Sequence, residues 1–428
     1  MSFSHTPNSN LSTRLIKALT PEQSGFLWSV ADESTRLGLP LYIVGGFVRD
    51  LLLGHPGLDF DLVVEGDTIR LARAMAEKHG GKVTVHTRFK TAQWFPPSAT
   101  NLPAFVDFIS ARTESYKLPA ALPTVQPGTL TDDLSRRDFS INTLALRLDG
   151  NSFGELHDEL GGLEDLQAGI VRVLYPGSFM DDPTRLIRAV RYEQRYGFQI
   201  APTTLALFPE ALPIINKLSA ERVRHELDLV LEEEKAICML KRLADLGILA
   251  AVHPALKWNH STEMRFTQGL AAVQTSEHPP SHRSLGWTLW LMDVPLPGLE
   301  GIETRLHFES GLRELLLAAS ALFVDAKSLA DKKPSRCVEI LKRTPLKAVQ
   351  AVSLALPAGL ARHVLRDYLE TWRHVKPKTT GHDLMKRGLP PGPEYKRILC
   401  TLRAAWLDGE LKTEAEEVDL LEKLIKAC

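Results

Sequence analysis

Apolar positions follow two different periods in the first part of the chain, and each period predicts its own kind of element. The spacing of Phe26, Leu27, Val30 and Ala31 is typical of an amphipathic helix over residues 21–37. Short apolar runs bounded by turn residues are typical of strands. They predict strands at Leu41–Val44, Phe60–Val64, Lys82–His86, Phe105–Ile109 and Ile141–Leu146, with a further helix at Thr68–His79. This pattern indicates a compact α/β unit.

From Asp182 onward, apolar residues recur at intervals of three and four, and no convincing strand is found there. Examples are Leu186, Ala189 and Val190, then Val223, Leu227, Val230 and Leu231, then Met239, Leu240, Leu243 and Leu246. Prolines and glycines interrupt the helices at residues 209–213, 295–301 and 389–393, without a repeat of fixed period. The second part is therefore predicted to be all helical.

Composition places the chain among ordinary globular proteins. It has 428 residues, of which 44% are hydrophobic and 24% charged, and a domain takes roughly 100 to 200 residues, which predicts two to four domains. No apolar run approaches the roughly 20 residues that cross a bilayer, so no membrane partner is expected. The first residues, MSFSHTPNSNLSTR, lack the apolar segment of a secretion signal, which predicts a short polar tail and cytoplasmic residence.

Cysteine spacing and charge narrow the classes further. The four cysteines are scattered without CxxC spacing, which argues against a disulfide framework and against a zinc site. The formal net charge is −1, so the chain as a whole gives no electrostatic signal for nucleic acid. Basic residues do outnumber acidic ones between Arg362 and Arg403. That segment is the candidate surface for RNA, and nothing in the sequence sets an oligomeric state.

A glycine-rich turn comes directly after the first predicted strand. Gly45 and Gly46 stand between the strand Leu41–Val44 and a helix that is predicted to start at Val48. Because glycine has no side chain, backbone amides at such a turn can approach a phosphate, and the helix start favours negative charge. A paired glycine is also common in turns that bind nothing, so this motif alone is weak.

Two aspartates stand about ten residues later. Asp59 and Asp61 alternate with Phe60, so on a strand they share one face while Phe60 points into the core. They could be a solvated strand edge, but two like charges side by side repel unless a cation relieves them. The pair beside the glycine turn is therefore predicted to hold Mg²⁺. Asp107, on the strand Phe105–Ile109, is a third carboxylate that is either catalytic or structural.

Two arginine-rich motifs come next. A loop is predicted at Thr113–Thr131, which is long enough for a lid. It is followed by RRDFSIN, in which Arg136 and Arg137, beside Asp138 and Asn142, offer donors for phosphate and ribose. A charged surface turn is the alternative.

In the motif DDPTRLIRAVR, Arg185, Arg188 and Arg191 recur every third residue on a helix that starts near Pro183. That spacing makes a basic ridge, with Asp182 as the N-cap. Asp182 and Arg185 together offer an acceptor and a donor to a base edge. A solvated helix face is the alternative.

In this order the motifs resemble the bacterial tRNA nucleotidyltransferase and poly(A) polymerase family, in its second class. GGFVRD with Asp59 and Asp61 is similar to the family's catalytic motif, and RRDFSINTLAL to its ribose motif at Arg137, Asp138 and Asn142. DELGGLEDL (158–166) resembles its glycine-containing hinge, DDPTRLIRAVR its base-template motif, SAERVRHEL (219–227) the helix that supports the head, and GHDLMKRGLPPGP an element of its tail. Two positions depart from the family, Asp181 where Glu is usual and Thr143 where Ala is common.

The resemblance implies an α+β fold: a nucleotidyltransferase head with a mixed or antiparallel sheet, followed by an all-helical neck, body and tail. The expected domains are a polar tail (1–25), the catalytic head (26–150), the neck that recognises the base (151–256), the body (257–370) and an RNA-binding tail (371–428). It also implies that CMP and AMP from CTP and ATP are added to the 3′ end of tRNA without a nucleic-acid template.

The resemblance further implies a role for each site residue. Asp59 and Asp61 bind two Mg²⁺ ions, and Asp107 completes the metal shell or takes the hydroxyl proton. Gly45, Gly46 and Arg49 face the phosphates, and Arg137, Asp138 and Asn142 the ribose. Asp182 and Arg185 select the base, while Arg188 and Arg191 reach phosphates.

Other activities stay open. Within the family, the chain could add only CC, only A, or a poly(A) tail, although a long mobile loop at Thr113–Thr131 disfavours a CC-only enzyme. A metal-dependent phosphohydrolase is suggested by the dipeptides His157-Asp158 and His382-Asp383, but no further ligand stands at helical spacing. A catalytically silent RNA-binding protein is expected to lack one of the paired aspartates, and both are present.

Overall fold

The computed structural model describes residues 10–55, 60–86, 90–97, 102, 104–116, 118–273 and 282–426. The chain divides into two compact units, residues 1–226 and 227–428. The predicted neck, residues 151–256, crosses this boundary. Within the described ranges, no helix is long and apolar enough to span a membrane.

The first unit is built on a mixed seven-stranded sheet with the strand order β3-β4-β5-β2-β1-β8-β9. β2 and β5 pair in parallel, and the other neighbours are antiparallel. Two small pairs, β6-β7 and β10-β11, lie outside this sheet. The strands are β1 (Leu41–Val44), β2 (Asp61–Val64), β3 (Lys82–His86), β4 (Thr91–Phe95), β5 (Val106–Ser110), β6 (Arg112–Ser115), β7 (Thr124–Pro127), β8 (Ala145–Arg147), β9 (Leu156–His157), β10 (Ile170–Val171) and β11 (Gln199–Ile200).

Eleven helices are described from residue 10 to the end of this unit, the last of which continues past residue 226. They are α1 (Ser12–Lys17), α2 (Pro21–Leu37), α3 (Gly46–Leu53), α4 (Thr68–His79), α5 (Leu130–Ser135), α6 (Gly162–Ala168), α7 (Ser178–Asp181), α8 (Thr184–Tyr196), α9 (Pro202–Leu205), α10 (Phe208–Ala211) and α11 (Ala220–Leu231). Short 3₁₀ helices lie at Ser140–Asn142, Gly150–Ser152 and Leu212–Lys217.

Helices and strands with a clear hydrophobic periodicity and with capping or turn residues at their ends were predicted correctly. Helix α2 starts after Thr20, which forms a capping box with Gln23, and ends at Gly38, whose φ of 68° is left-handed. Strands β1 and β3 and helix α4 also have the predicted bounds, and β1 is buried at every position. Local signals therefore set these elements before any tertiary contact is considered.

Three expectations for the first unit were wrong. Residues 10–25, expected as a polar tail, carry α1 and the start of α2, and Leu11 and Leu15 are buried. The strand predicted at Ile141–Leu146 begins only at Ala145, because Ser140–Asn142 forms a 3₁₀ turn. Strand β4 was missed, although Ala92 and Trp94 alternate inward as a half-buried strand requires.

The predicted loop at Thr113–Thr131 is also largely wrong. β6 and β7 pair as an antiparallel hairpin within it, and α5 begins at Leu130. Thr129 and Asp132 form the capping box of α5, which is the local signal for a helix start. Among the described residues of this segment, 116, 118–123 and 128–129 lie outside helices and strands.

The second unit is all helical in the described residues, as predicted. Its further helices are α12 (Ala236–Asp245), α13 (Ile248–Val252), α14 (His260–Val273), α15 (His282–Leu291), α16 (Leu296–Leu306), α17 (Ser310–Leu329), α18 (Pro334–Leu341), α19 (Leu346–Ala355), α20 (Leu360–Glu370), α21 (Gly381–Lys386), α22 (Pro393–Leu407) and α23 (Glu414–Lys426), with a 3₁₀ turn at Trp372–His374. Trp287 and Trp290 stack in its core with ring centroids 5.3 Å apart. Their helical spacing had predicted core positions.

Glu417 on α23 ties the C-terminal helices to the segment before α21. Its carboxylate is buried and accepts the backbone N–H groups of Lys378 and Thr379 at 3.0 and 2.6 Å. It also accepts the Thr379 hydroxyl at 2.5 Å and the indole N–H of Trp406. Burial alone would favour the neutral acid, but these donors outweigh it and lower the pKa of Glu417. The carboxylate is thus a charged anchor inside an apolar region.

Glu417→Gln should destabilise the second unit by about 2 to 5 kcal/mol, because the amide nitrogen cannot accept and leaves buried N–H donors unpaired. The pKa is lowered on folding, so the wild-type contribution is present above the ordinary carboxyl range and is lost as the pH falls through the folded value. Urea unfolding followed by tryptophan fluorescence between pH 7 and pH 3 measures both effects. Glu414→Gln, at an exposed ion pair with Lys378, is the control and should change little. An equal effect of the two substitutions would contradict the anchor.

Candidate active site

Two carboxylates face each other across the single parallel strand pair of the described sheet. Asp61 opens β2, and its register partner on β5 is Asp107. Paired positions on neighbouring strands, which lie about 4.8 Å apart, direct their side chains to the same face. Phe60, just before, is buried and packs near Phe47, with ring centroids 5.3 Å apart. Asp59, the other predicted metal ligand, lies outside the described residues.

This carboxylate pair suits a hard divalent cation. Aspartate oxygens are the ligands that Mg²⁺ prefers, and Mg²⁺ sites in nucleotide enzymes commonly use one or two carboxylates together with substrate phosphates. A cation also removes the repulsion between two like charges on adjacent strands. Within the described residues, no group of three or more His, Cys, Asp or Glu side chains is placed to hold a metal ion. The fit to a cation therefore depends on the carboxylates of Asp61 and Asp107 together with oxygens that a substrate would bring.

Asp61 lies in the wall of a cleft of about 630 Å³, within the roughly 300 to 1,000 Å³ that is usual for small-ligand sites. Eight arginines and five carboxylates line this cleft, so positive charge prevails and an anionic ligand is favoured. The described lining residues are Gly46, Arg49, Asp61, Ile109, Arg112, Glu114, Tyr116, Arg136, Arg137, Asp138, Asn142, Asp182, Thr184, Arg185, Arg188, Tyr192, Arg195, Arg222, His225 and Glu226.

The glycine turn brings the backbone against an arginine. Gly45 has φ 69°, and a Cβ there would lie 2.5 Å from Nη1 of Arg137, so only glycine fits. Gly46 starts α3 and lines the cleft. Arg137 donates to Asp133 at 3.1 Å, while its buried Nε has no hydrogen-bond partner among the described residues. A buried donor without a partner favours an anion that can approach it.

Arg49, expected to face phosphates, is instead buried between protein groups. Its guanidinium bonds both carboxylate oxygens of Asp50, at 2.8 and 3.0 Å, and donates to the side chain of Asn142. It also lies 5.1 and 4.7 Å from the ring centroids of Tyr192 and Tyr196. Burial opposes its charge, but the bond to Asp50 and the tyrosines raise the pKa of Arg49. Arg49 borders the cleft mainly as a strut between α3, the 3₁₀ turn and α8.

The ribose motif forms one hydrogen-bonded group. One carboxylate oxygen of Asp138 accepts the Asn142 amide at 2.8 Å, and the other accepts Nε of Arg188 at 2.8 Å. Burial raises the pKa of Asp138, but Arg188 and Asn142 overcome this and lower it to about 2. Asn142 is thus engaged at both ends of its amide, by Asp138 and Arg49. All three predicted residues of this motif, Arg137 included, do line the cleft.

Asp133, fully buried on α5, organises the arginines at the next wall. It accepts Nη2 of Arg136 at 2.6 Å and Nη2 of Arg137 at 3.1 Å. Glu114 on β6 accepts Arg136 from the other side at 3.1 Å and the Tyr116 hydroxyl at 2.9 Å. Burial, with Glu114 adding to it, raises the pKa of the Tyr116 phenol. Asp133 and Glu114 therefore hold the side chains of this wall in place without a ligand.

The base-template motif lies where α7 meets α8. Arg185 is buried and donates to the Ser178 hydroxyl at 2.6 Å and to the backbone carbonyl of Arg136 at 2.7 Å. Asp181, the departure from the family, accepts the Tyr175 hydroxyl at 2.7 Å. Asp182 was predicted as the N-cap of α8, but the helix begins at Thr184 and its N-cap is Pro183, which makes no side-chain capping bond. Asp182 lies one residue earlier and accepts the Thr184 N–H at 3.0 Å. Asp182 and Arg185 both line the cleft.

The predicted basic ridge is not a row of solvated side chains. Arg188 pairs with Asp138 and Glu226, and Arg191 is buried and donates to Glu226 at 3.1 Å. Arg188 reaches the cleft, whereas Arg191 is not among its lining residues. The three-residue spacing correctly indicated that the arginines share one helix face. Asp138 and Glu226, the buried acids that pair with Arg188 and Arg191, come from distant segments of the chain.

Several cleft residues were not singled out from the sequence. Arg112, Glu114 and Tyr116 lie on a hairpin that was expected as a loop, so no strand pattern pointed to them. Arg222, His225 and Glu226 share one face of α11 at spacings of three and four. The motif SAERVRHEL carried that signal, but it was interpreted only as a support.

Sequence and structure comparisons agree with this geometry. Residues 41–172 match the family described as the poly A polymerase head domain, and residues 197–259 match the probable RNA and SrmB-binding site of polymerase A. A CCA-adding enzyme from Thermotoga maritima, solved in complex with tRNA, superposes with a TM-score of 0.80 at 26% identity and covers 99% of this chain and 100% of that one.

Curated relatives align over nearly the whole chain. The A-adding tRNA nucleotidyltransferase of Halalkalibacterium halodurans is 32% identical over 95% of this chain and 94% of that protein. The CC-adding enzyme of Deinococcus radiodurans is 40% identical over 92% and 93%. The A-adding enzyme of Geobacter sulfurreducens is 34% identical over 93% of this chain, which spans only 46% of that longer protein. The chain belongs to the family of tRNA nucleotidyltransferases and poly(A) polymerases.

Proposed function

We propose that the cleft of the first unit adds CMP and AMP, from CTP and ATP, to the 3′ end of tRNA without a nucleic-acid template and so completes the CCA end. The observation that carries this is the presence, in one cleft with an arginine excess, of the carboxylate of Asp61 and the donor–acceptor pair Arg185 and Asp182. The first suits a cation and a triphosphate, and the second suits a base edge. Solved relatives in complex with ATP, CTP and tRNA support the same substrates.

The metal-binding part of the proposal assigns Mg²⁺ to Asp59 and Asp61, with Asp107 beside them. When bound, Mg²⁺ would activate the terminal RNA hydroxyl and offset the triphosphate charge. Asp107 lies opposite Asp61 in register, which supports a ligand or proton-accepting role. The paired strands β2 and β5 supply the framework that holds Asp61 and Asp107.

Phosphates would be held on the side of the cleft formed by the glycine turn. The first turn of α3 at Gly46 favours negative charge, and Arg137 next to it has a buried Nε available for an anion. Arg188 completes this wall, and its ion pair with Asp138 holds the guanidinium in place. Asn142 would meet the sugar through the part of its amide that Asp138 and Arg49 leave exposed to the cleft.

Base choice would follow from the donor and acceptor pattern of Asp182 and Arg185. An ionised carboxylate only accepts hydrogen bonds, and a guanidinium only donates them. Cytosine and adenine each carry an exocyclic amino donor beside a ring-nitrogen acceptor, whereas uracil and guanine present the reverse. The pair therefore suits cytosine and adenine, and no nucleic-acid template is required.

The remaining parts of the chain take the roles that the family implies. The head is residues 26–150, the neck 151–256, the body 257–370, and the tail 371–428 binds RNA through exposed basic residues such as Lys376, Lys386 and Arg397. A reaction on tRNA with nucleoside triphosphates supports a cytoplasmic location.

A partial activity is the second candidate. Two curated relatives that align over 94% and 93% of their own length are named an A-adding and a CC-adding enzyme, so partial activities are represented among the relatives of this chain. Addition of only CC or only A would use the same cleft and the same carboxylates.

Asp61→Asn and Asp107→Asn test the cation site. A catalytic metal contributes several kcal/mol to the transition state, which corresponds to a loss of turnover of about a thousandfold for Asp61→Asn. If Asp107 is catalytic, the turnover of Asp107→Asn should fall by a similar factor. Incorporation of labelled CTP and ATP into tRNA that lacks its 3′ end is the measurement. Asp32→Asn on the exposed face of α2 is the charge-matched control and should retain activity. Normal turnover in Asp61→Asn would sink the assignment.

Asp182→Asn tests base recognition. The Asn oxygen should take over the bonds from Thr184 and Arg222, which turns the amide N–H₂ towards the cleft. An acceptor for the base then becomes a donor, so relative kcat/KM should shift from CTP and ATP towards UTP and GTP by about tenfold or more, as one exchanged hydrogen bond implies. An unchanged preference among the four nucleotides would contradict the template role.

Product length separates full from partial activity. With tRNA that lacks its three terminal residues, a CCA-adding enzyme should add C, C and A from CTP and ATP and then stop. A CC-adding enzyme would stop after two residues, an A-adding enzyme would require an acceptor that already ends in CC, and a poly(A) polymerase would continue. Sequencing gels of the product give the answer, with the Asp61→Asn protein as the blank.

A further inference from the structure

Arg222 on α11 connects two segments that the sequence places far apart. One guanidinium nitrogen lies 2.7 Å from Oδ1 of Asp182, and the other donates to the backbone carbonyl of Ala120 at 3.2 Å. Arg222 is only partly exposed and lines the cleft. Its two contacts use both ends of the guanidinium fork, the geometry in which arginine fixes a partner's orientation.

The bonds to Asp182 are unequal between its two oxygens. Oδ1 accepts two hydrogen bonds, from the Thr184 N–H at 3.0 Å and the Thr184 hydroxyl at 2.6 Å, and it also forms the ion pair with Arg222. Among the described residues, none donates to Oδ2. One oxygen is thus saturated by the protein, and the other is left for the base.

We infer that Arg222 is a positioning residue for base selection, which holds Asp182 by Oδ1 so that Oδ2 faces the nucleotide. This rests on the proposed function of Asp182. The Thr184 donors are local, two residues along the same chain segment, and they move with Asp182. Arg222 comes from another helix, so it is the contact that fixes the carboxylate relative to the rest of the cleft.

The connection between β6 and β7 in turn fixes the orientation of the Arg222 side chain. Ala120 lies there with φ 63°, a left-handed conformation that is uncommon for a residue with a side chain. Its N–H donates to the carbonyl of Met180 at 3.1 Å, and its own carbonyl receives Arg222. The peptide is therefore docked on both sides, against α7 and against α11. The hairpin connection thus contributes to base selection through the bond from Arg222 to Ala120.

The first test compares nucleotide preference in Arg222→Ala with that in the wild type. The ratio of kcat/KM for CTP over UTP, and for ATP over GTP, should fall about tenfold, because Asp182 no longer presents a fixed acceptor. Arg147→Ala is the matched control, since Arg147 has a similar side-chain exposure (32% against 28%) and pairs with Asp149 outside the cleft. Its ratios should equal those of the wild type. A uniform loss across all four nucleotides would mean that Arg222 is only structural.

A second variant, Arg222→Gln, separates the loss of positioning from a general loss of stability. It keeps most of the length of the side chain and one amide donor, and its ratios should fall severalfold at a melting temperature close to that of Arg147→Ala. If Arg222→Gln retains wild-type ratios, the inference is overturned, whatever the state of Arg222→Ala.

A double-mutant cycle separates this inference from the proposed function. In Asp182→Asn, Arg222 should force the amide oxygen towards itself and the N–H₂ towards the base, so the preference for UTP and GTP should be lost again in Asp182→Asn with Arg222→Ala. If Asp182→Asn alone changes no preference, the proposed base recognition fails. If it does change the preference but the second substitution leaves that change intact, only the role of Arg222 fails.

Discussion

The register of β2 against β5 is the constraint on which the first unit depends. Because side chains alternate along a strand, a shift of one residue would turn Asp61 into the core or move it away from Asp107. Apolar neighbours secure the register, since Leu62, Val63 and Val64 are fully buried and Val106 and Phe108 are almost completely so. Apolar burial along the two strands thus determines where Asp61 and Asp107 meet, so the position of the proposed cation site follows from core packing.

The arginines of the cleft illustrate a second constraint. A guanidinium in a partly buried wall is costly unless a carboxylate partner compensates the loss of water. Three buried acids do this in the cleft: Asp133 pairs with Arg136, and Asp138 and Glu226 both pair with Arg188. Arginines still outnumber carboxylates in the cleft, and the ion pairs fix the orientation of the guanidinium groups. The cleft is therefore organised for an anion before the anion binds, and little reorganisation remains for the ligand to cause.

Sequence patterns predicted the parts of this molecule that local physics decides. α2, α4, β1 and β3 have their predicted bounds, because period, caps and turn glycines act within a few residues. Short motifs also pointed to most of the cleft, since glycine turns and clustered arginines are visible in one segment. Pairing between distant segments was not visible: the hairpin of β6 and β7, the buried partners of Arg49 and Arg191, and the bond from Arg222 to Asp182 all depend on tertiary contacts.

Asp138 has a pKa near 2 because Arg188 and Asn142 surround its buried carboxylate. The wall that it shares with them therefore keeps one charge pattern from strongly acid to alkaline medium. Phosphate monoesters take up a proton at about pH 6, well within that range. A phosphate group in the cleft would therefore gain its proton in a pH range in which Asp138 keeps its charge and its ion pair with Arg188.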